Sequence, residues 1–393
     1  MSTVSTMTLK QKQSHAQRLL EVRHIPTVPS PLQFYYRNNQ LYSFGLDSKQ
    51  QPTVGMSQSH SPEILPIDTD LFGSKLARTV AQASLDYVVK HSTEPVFWRD
   101  SMHRTCKFGG FWRHMIIKEG AAEKEGAALQ SYLIIVRVLC ATEHVIQKEL
   151  TRLINWLDRV VPHRLVGVYY QSSNNLVECH NSHPYGLTER NQPLIDMLEV
   201  AERKFRFVRG PMAFFQPNRL TAQLIYHYVV TLIQTVAQPV VLLDICCGTG
   251  TIGQVVSPCC PQVVRVLGVD CTSDSIRNAQ SNLALNKLDA TRFEYHLGTA
   301  QEVVPKWNFE LDQAVIAVVN PPRRGLYPEV LTTLNQCPNI QQLIYISCNA
   351  VTLKRDLTNL DQFGPPDQFL LVDQFPNTNH YEVICRLTRE FDV

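Results

Sequence analysis

The sequence predicts an α/β domain over 201–393, built on a mostly parallel sheet that closes in an antiparallel hairpin, preceded by an α+β domain over 29–200. Three observations predict it. From residue 239 onward, apolar β-branched runs at 239–244, 263–270, 290–298, 314–320 and 343–349 alternate with helical patterns near 273–286, 327–337 and 350–360, the rhythm of parallel strands with crossover helices. The first run enters a tight turn, Cys246-Cys247-Gly248-Thr249-Gly250-Thr251-Ile252-Gly253, where glycines permit positive φ and close approach of a ligand. The last two runs, 369–375 and 381–389, leave no room for a helix between them, so one strand must be antiparallel.

The totals narrow the class. The 393 residues suffice for two or three domains, and 44% hydrophobic with 18% charged residues describes a globular chain. No apolar run is long enough to span a bilayer. The eleven cysteines include no C-x-x-C pair, which speaks against zinc and iron–sulfur sites and for reduced thiols inside a cell. A net charge of +2 means that any nucleic-acid surface must be local.

Residues 1–28 read as a polar lead-in or a targeting segment. Lys10, Lys12 and Arg18 occur there among Ser, Thr and Gln with no acid before Glu21, which suits a mitochondrial presequence as well as a polar helix. Pro29-Ser30-Pro31 marks the entry to the next domain, and the Gln/Ser/Pro-rich stretch 48–61 reads as a loop before a helix near 74–90. Between Phe97 and Lys118, the cations Arg99, Arg104, Lys107, Arg113 and Lys118 face a single acid, Asp100, and are interleaved with Phe97, Trp98, Phe108, Phe111 and Trp112. Cations beside flat rings are what single-stranded nucleic acid requires. A strand with core aromatics and solvated charges fits the same composition. A strand at 131–140, a helix with its stripe at Ile146, Leu150, Leu153, Ile154 and Leu157, and a strand at 165–170 follow. Asn218 is placed to cap a helix with a stripe at Leu220, Leu224, Ile225, Tyr228, Leu232 and Val236.

Chemistry-bearing residues collect at the predicted strand ends. Asp244 stands before the glycine turn, where it would repel a pyrophosphate but accept a hydrogen bond from an amine; Asp270 ends the next strand, where a carboxylate can hold ribose hydroxyls. With Gly248 these features resemble Rossmann-like class I S-adenosylmethionine-dependent methyltransferases more than NAD enzymes. Asn320-Pro321-Pro322-Arg323 places a stiff polar loop at the same rim. Arg323 stands where nitrogen methyltransferases carry an aromatic residue. Cys348 ends the strand 343–349 beside a predicted helix N-terminus, which favours a thiolate. Glu382 opens the last strand among apolar neighbours.

Phe214-Phe215-Gln216-Pro217-Asn218, the Asp244–Thr251 turn, Asn320-Pro-Pro-Arg-x-Gly-Leu, Ser347-Cys348-Asn349 and Asn379-His380-Tyr381-Glu382 occur here in order, and together resemble the RNA uracil-C5 methyltransferases, within them the eukaryotic tRNA (uracil-5-)-methyltransferase 2 homologues. Over 29–200 the likeness is fainter and rests on Tyr36-Arg37-Asn38 and Gly109-Gly-Phe-Trp-Arg113. The resemblance implies S-adenosylmethionine held by Gln216, Cys246, Thr251, Asp270 and Asn320, with Cys348 as nucleophile, Glu382 as general base and no metal. For Arg323 the chemistry suggests stabilisation of the developing enolate. It further implies C5 methylation of a uridine, in the T-loop of tRNA or in mitochondrial ribosomal RNA, by a monomer in the mitochondrial matrix or the cytosol and nucleus. Two departures stand out: Asn320 where most of the family has Asp, and Ala350 where a Pro is usual. An RNA or protein N-methyltransferase, and a non-catalytic RNA-binding or chaperone protein, are the alternative readings.

Overall fold

The computed structural model describes residues 6–57, 63–100, 107–124, 127–139, 141–172, 185–307 and 313–390, with backbone alone at 99–100, 107, 122–124, 127–129, 185 and 188–189. Two compact units share them: Phe34–Met197 with Arg209–Met212, and Met1–Gln33 with Leu198–Val208 and Ala213–Val393. No helix among the described residues is long and apolar enough to cross a membrane.

The chain opens with helix α1 (Leu9–Leu20) and a two-residue strand β1 (Thr27–Val28). Both belong to the C-terminal unit, not to a separate lead-in. A capping box of Thr8 and Gln11 starts α1, and β1 pairs in parallel with a late strand through Thr27↔Leu371 and Val28↔Val372. Lys12 is fully buried and donates to Asp373 Oδ1 at 2.6 Å and to the Phe375 carbonyl at 2.8 Å.

The N-terminal unit is a sheet covered on one face by two helices. Its elements are β2 (Asn39–Leu46), β3 (Pro52–Ser57), β4 (Ile64–Pro66), α2 (Lys75–Lys90), a ribbon of β5 (Trp98–Asp100) and β6 (Lys107–Gly109), β7 (Trp112–Lys124), β8 (Ala127–Val138), α3 (Glu143–Val160), β9 (Arg164–Ser172) and β10 (Tyr185–Asn191). The strand order is β10-β9-β8-β7-β2-β3-β4. Only the β8–β9 pair is parallel in this order, as a crossover through α3 requires. The predicted stripe of α3 packs with Val80, Ala81 and Tyr87 of α2 against Met115, Ile117, Ile134 and Val136. The stretch 48–61 is not a loop throughout, because β3 lies within it and pairs with β2 and β4. Its composition is poor in strand formers, and tertiary pairing supplies what propensity lacks. A Cβ at Gly55 would sit 1.7 Å from the Leu65 carbonyl oxygen, so the strand needs glycine there.

The C-terminal unit adds β11 (Leu194–Val200, its first residues in the other unit), β12 (Arg203–Arg209), α4 (Arg219–Gln234), β13 (Val240–Ile245), α5 (Thr251–Cys259), β14 (Val263–Asp270), α6 (Ser273–Leu285), β15 (Phe293–Leu297), α7 (Ala300–Val303), β16 (Val315–Val319), α8 (Pro328–Gln336), β17 (Ile340–Ser347), α9 (Ala350–Thr358), β18 (Gln368–Val372) and β19 (Glu382–Thr388). Its sheet runs β1-β18-β19-β17-β16-β13-β14-β15, and β19 is antiparallel to both neighbours. The α/β prediction therefore holds, hairpin included. Strand order reverses at β13, whose neighbours are β14 and β16, and a crevice at such a switch point takes ligands. Asn218 caps α4, its Oδ1 accepting from the Thr221 N–H at 3.4 Å. The buried face of α4 is turned from the predicted one: Ala222, Ile225, Tyr226, Val229, Val230 and Ile233 are covered, while Leu220, Leu224 and Tyr228 are half-exposed. With apolar residues nearly all round this helix, periodicity cannot choose a face.

Candidate active site

The glycine turn after β13 is a backbone cradle. Cys246, Gly248 and Gly250 all have positive φ (64°, 55° and 73°), and the side of Gly248 where a Cβ would point has no atom within 4 Å. Asp244 is fully buried at the end of β13. Its Oδ2 accepts the Gly253 N–H at 2.9 Å, in the first turn of α5, and its Oδ1 has no hydrogen-bond partner among the described residues. Burial, reinforced by the Asp270 charge, pushes Asp244 up to about 7 against the pull of that N–H. Such an oxygen needs a donor, and the amino group of S-adenosylmethionine is one, so the residues present fit that group.

Asp270 closes β14 one strand away. Its Oδ2 accepts from the Gly248 N–H at 3.0 Å and its Oδ1 from the Thr272 N–H at 2.9 Å. It therefore shapes the cradle as well as facing it; each oxygen keeps a second lone pair for a ribose hydroxyl. Thr251 is buried with its hydroxyl 2.9 Å from that of Thr249. Gln216 is buried, and its Oε1 accepts from Gln374 Nε2 at 2.9 Å. Gln374 also bonds Thr221, and its carbonyl accepts from Asn218 at 3.1 Å. Sequence reasoning missed Gln374, since nothing in its local pattern marks it. Asn320 ends β16 half-buried, tied to β13 by its N–H to the Ile245 carbonyl at 3.2 Å.

Asp270→Ala is expected to weaken S-adenosylhomocysteine binding by about 1.5–3 kcal/mol, the range for hydrogen bonds to a charged group, with RNA affinity unchanged. Calorimetric titration measures it, and unaltered cofactor affinity would remove Asp270 from the site.

Cys348, Arg323 and Glu382 come together at the same rim. The Cys348 thiol is half-buried, and the charges of Glu382 and Arg323 both act on it. Burial first, then the Glu382 charge, push the thiol up to about 11, and Arg323 opposes them. The thiolate expected from the helix terminus is thus not favoured in the resting protein, because burial outweighs the dipole. Glu382 is 3% exposed, its Oε2 has no hydrogen-bond partner among the described residues, and burial pushes it up to about 8 against the pull of Arg323. Tyr226, from α4, feels both Asp244 and Glu382; no motif announced it.

The loop carrying Arg323 is well held despite Ala350 standing where a Pro was expected. Asn349 Nδ2 and Thr352 Oγ1 donate to the Arg323 carbonyl at 3.0 and 3.2 Å, and Asn349 caps α9 at the Val351 N–H. Gly325 turns with φ 76°, and buried Asp356 accepts from the Leu326 N–H and the Tyr345 hydroxyl.

The predicted RNA-contacting stretch divides. Trp98 and Phe108 are exposed on the β5–β6 ribbon, whereas Phe111 and Trp112 are core. Arg113 and Lys118 are buried; Arg113 lies over the Phe97 ring, and Lys118 donates to the Pro211 carbonyl at 2.6 Å. Arg104 lies outside the described residues, and Arg99 and Lys107 are described by backbone alone. Alternation along a strand hides one cation in two, and composition cannot tell which.

Sheet order, switch-point cradle and rim define a Rossmann-like S-adenosylmethionine-dependent methyltransferase. Residues 187–390 match the family model of tRNA (uracil-5-)-methyltransferase, and the chain belongs to that family. It is 36% identical over 185 residues to an RNA methyltransferase of Acanthamoeba polyphaga mimivirus, covering 45% of this chain and 46% of that protein. It is 27% identical over 387 residues to the tRNA (uracil-5-)-methyltransferase homolog B of Homo sapiens, covering 93% of this chain and 72% of that one. The tRNA (uracil-54, C5)-methyltransferase of Pyrococcus abyssi, solved with S-adenosyl-L-homocysteine, shares the fold with a TM-score of 0.69 at 20% identity, over 97% of this chain and 82% of that one.

Proposed function

We propose that this protein methylates C5 of a uridine in RNA, the T-loop uridine of tRNA, through a covalent bond between Cys348 and C6. The observation that carries the reading is the meeting of a thiol, a guanidinium and an unpartnered buried carboxylate beside the cofactor cradle. Direct methylation of a nitrogen needs no thiol there. Uracil C5 is a poor nucleophile until sulfur adds at C6 and turns the ring into an enolate. The Arg323 charge lowers the cost of the Cys348 thiolate and would stabilise the developing enolate oxygen. S-adenosylmethionine supplies an electrophilic methyl group on its sulfonium. C5 of the enolate takes that methyl group as its bond to the sulfonium breaks; Glu382 then removes the C5 proton, which gives a second enolate, and as it collapses C5=C6 re-forms and the Cys348 thiolate leaves.

Incubating the protein with unmethylated tRNA and S-adenosylmethionine, then analysing nucleosides, is expected to show 5-methyluridine. An N-methylated base would support nitrogen chemistry instead. No product, with RNA still bound, would support a binding or chaperone role.

The charge on Glu382 also sets a pH dependence. As a base it acts only as carboxylate, so methylated-product release is expected to rise with pH through about 8 and then level. Its effect on stability has the opposite sign. The folded state holds this proton more tightly than the unfolded chain, so stability falls between the ordinary carboxyl range and about pH 8. Single-turnover release rates that are flat from pH 6 to 9 would exclude Glu382 as the base.

A further inference from the structure

The loop that carries Arg323 carries a second arginine for which the chemistry above has no use. Arg324 is exposed, and its guanidinium carbon lies over the ring of the half-buried Tyr327, 4.4 Å from the centroid. An aromatic partner holds a guanidinium in place and leaves its charge uncancelled. No acid among the described residues pairs with Arg324, Glu329 in the adjoining first turn of α8 included.

The backbone beneath this charge is fixed. Arg355 Nη2 donates to the Arg324 carbonyl at 2.9 Å and to the Leu326 carbonyl at 3.1 Å, while Asn349 and Thr352 hold the Arg323 carbonyl. Gly325 lies so close to α9 that a Cβ there would stand 2.5 Å from Asp356 Oδ2 and 3.2 Å from Thr352 Cβ. The loop is thus clamped to the first turns of α9, and a charge on a rigid support loses little freedom when it binds. Burial and the Asp270 charge push the Cys246 thiol up, and the Arg324 charge opposes them, as the Arg323 charge does at Cys348. Two neighbouring cations therefore serve the two halves of the rim.

An anion beside Arg324 has two sources, the carboxylate of the cofactor and a phosphate of the RNA strand. Exposure favours the phosphate. Asp244, Thr251 and Gln216, the groups assigned to the cofactor, are buried, whereas an exposed cation meets what lies across the surface. A uridine entering at Cys348 brings its strand across this loop.

We propose that Arg324, held by Tyr327, binds a backbone phosphate of the RNA next to the uridine being methylated. The proposal rests on a uridine in RNA being the substrate. Phosphate contacts fix register and carry no sequence information, so Arg324 sets how the strand lies at the rim and not which base enters.

The test is affinity for an unmethylated tRNA transcript, by fluorescence anisotropy across a salt series, with S-adenosylhomocysteine affinity and melting temperature measured beside it. Arg324→Met is expected to weaken tRNA binding about tenfold and to lower the slope of log affinity against log salt by about one, with cofactor affinity and melting temperature unchanged. Arg324→Gln takes its place if the methionine variant does not fold, and Arg324→Lys should restore the slope. Tyr327→Leu is expected to weaken binding about threefold, the worth of an exposed cation–π contact, and Tyr327→Phe to bind as wild type does. A T-loop hairpin with a neutral methylphosphonate on one side or the other of the target uridine should bind wild type as weakly as Arg324→Met binds the native strand, and the variant should lose nothing further. Unchanged tRNA affinity and slope in Arg324→Met would overturn the proposal, as would losses that add when variant and methylphosphonate are combined at either side. Weakened S-adenosylhomocysteine binding with tRNA binding intact would overturn it too and assign Arg324 to the cofactor carboxylate. In each of these cases 5-methyluridine formed by wild type would leave the uridine reading standing. A wild type that forms none, while Arg324→Met loses tRNA affinity and slope, would sink the uridine reading and leave Arg324 as a phosphate contact.

Discussion

Cys348→Ala is expected to abolish both methyl transfer and covalent attachment to RNA, while Glu382→Gln accumulates an RNA–protein adduct that already carries the methyl group. In the proposed route the two residues fail differently because they act at opposite ends of one sequence of bonds. Without sulfur at C6 there is no enolate, and C5 has nothing with which to take the methyl group. With sulfur in place but no carboxylate, the methylated ring keeps its C5 proton and cannot expel the thiolate. Glutamine fits the space of Glu382 and brings no charge into a buried position. It also removes the carboxylate that helps to push the Cys348 thiol up, so attack is not impaired by the change. A denaturing gel reads the adduct directly, and mass spectrometry of the digested band shows whether the methyl group is present. RNA containing 5-fluorouridine should trap wild type in the same way, since fluorine cannot leave as a cation. If Cys348 were only a packing residue, Cys348→Ala would cost about 1–2 kcal/mol of stability and leave activity per folded molecule intact. Retained turnover in that variant, or no adduct in either trapping experiment, rules out the covalent route.

The legible parts of this molecule are those where one local pattern has one structural solution. The parallel strands announce themselves as unbroken apolar runs because both faces are covered, and β13, β14, β16 and β17 fall within a few residues of prediction. The stripe of α3 is unambiguous because its other face is polar. The strand ends were legible too, since Asp244, Asp270, Asn320 and Cys348 each stand where an apolar run stops. The rest depended on partners distant in sequence. β3 exists because β2 and β4 flank it. Gln374 matters because three residues of the α4 entry converge on it. Lys118 reads as a surface cation until the sheet places it in a cavity. Lys12, in a segment whose composition suits a presequence, is fully buried against an acid 361 residues away.

That last pair carries the largest expected effect on stability. Lys12→Ala leaves the Asp373 carboxylate buried without its cation, and removing one partner of a buried ion pair typically costs about 3–5 kcal/mol. Burial pulls the Lys12 ammonium below its ordinary value, and Asp373 works against that pull; each charge is tolerated because the other is there. The double change Lys12→Met with Asp373→Asn is expected to recover most of the loss, since no uncompensated charge remains. Urea unfolding of the three proteins measures both claims. The same N-terminal segment reaches the turn that precedes Glu382. The Met7 N–H donates to Asn379 Oδ1 at 3.0 Å, Lys12 holds the Phe375 carbonyl, and His15 Nδ1 lies 2.6 Å from the hydroxyl of Tyr381, the residue before Glu382. A chain shortened to begin after Leu20 should therefore lose stability and, where it still folds, release methylated RNA more slowly while forming the Cys348 adduct. Equal stability and equal release rates in the shortened chain would show that the turn before Glu382 stands without α1.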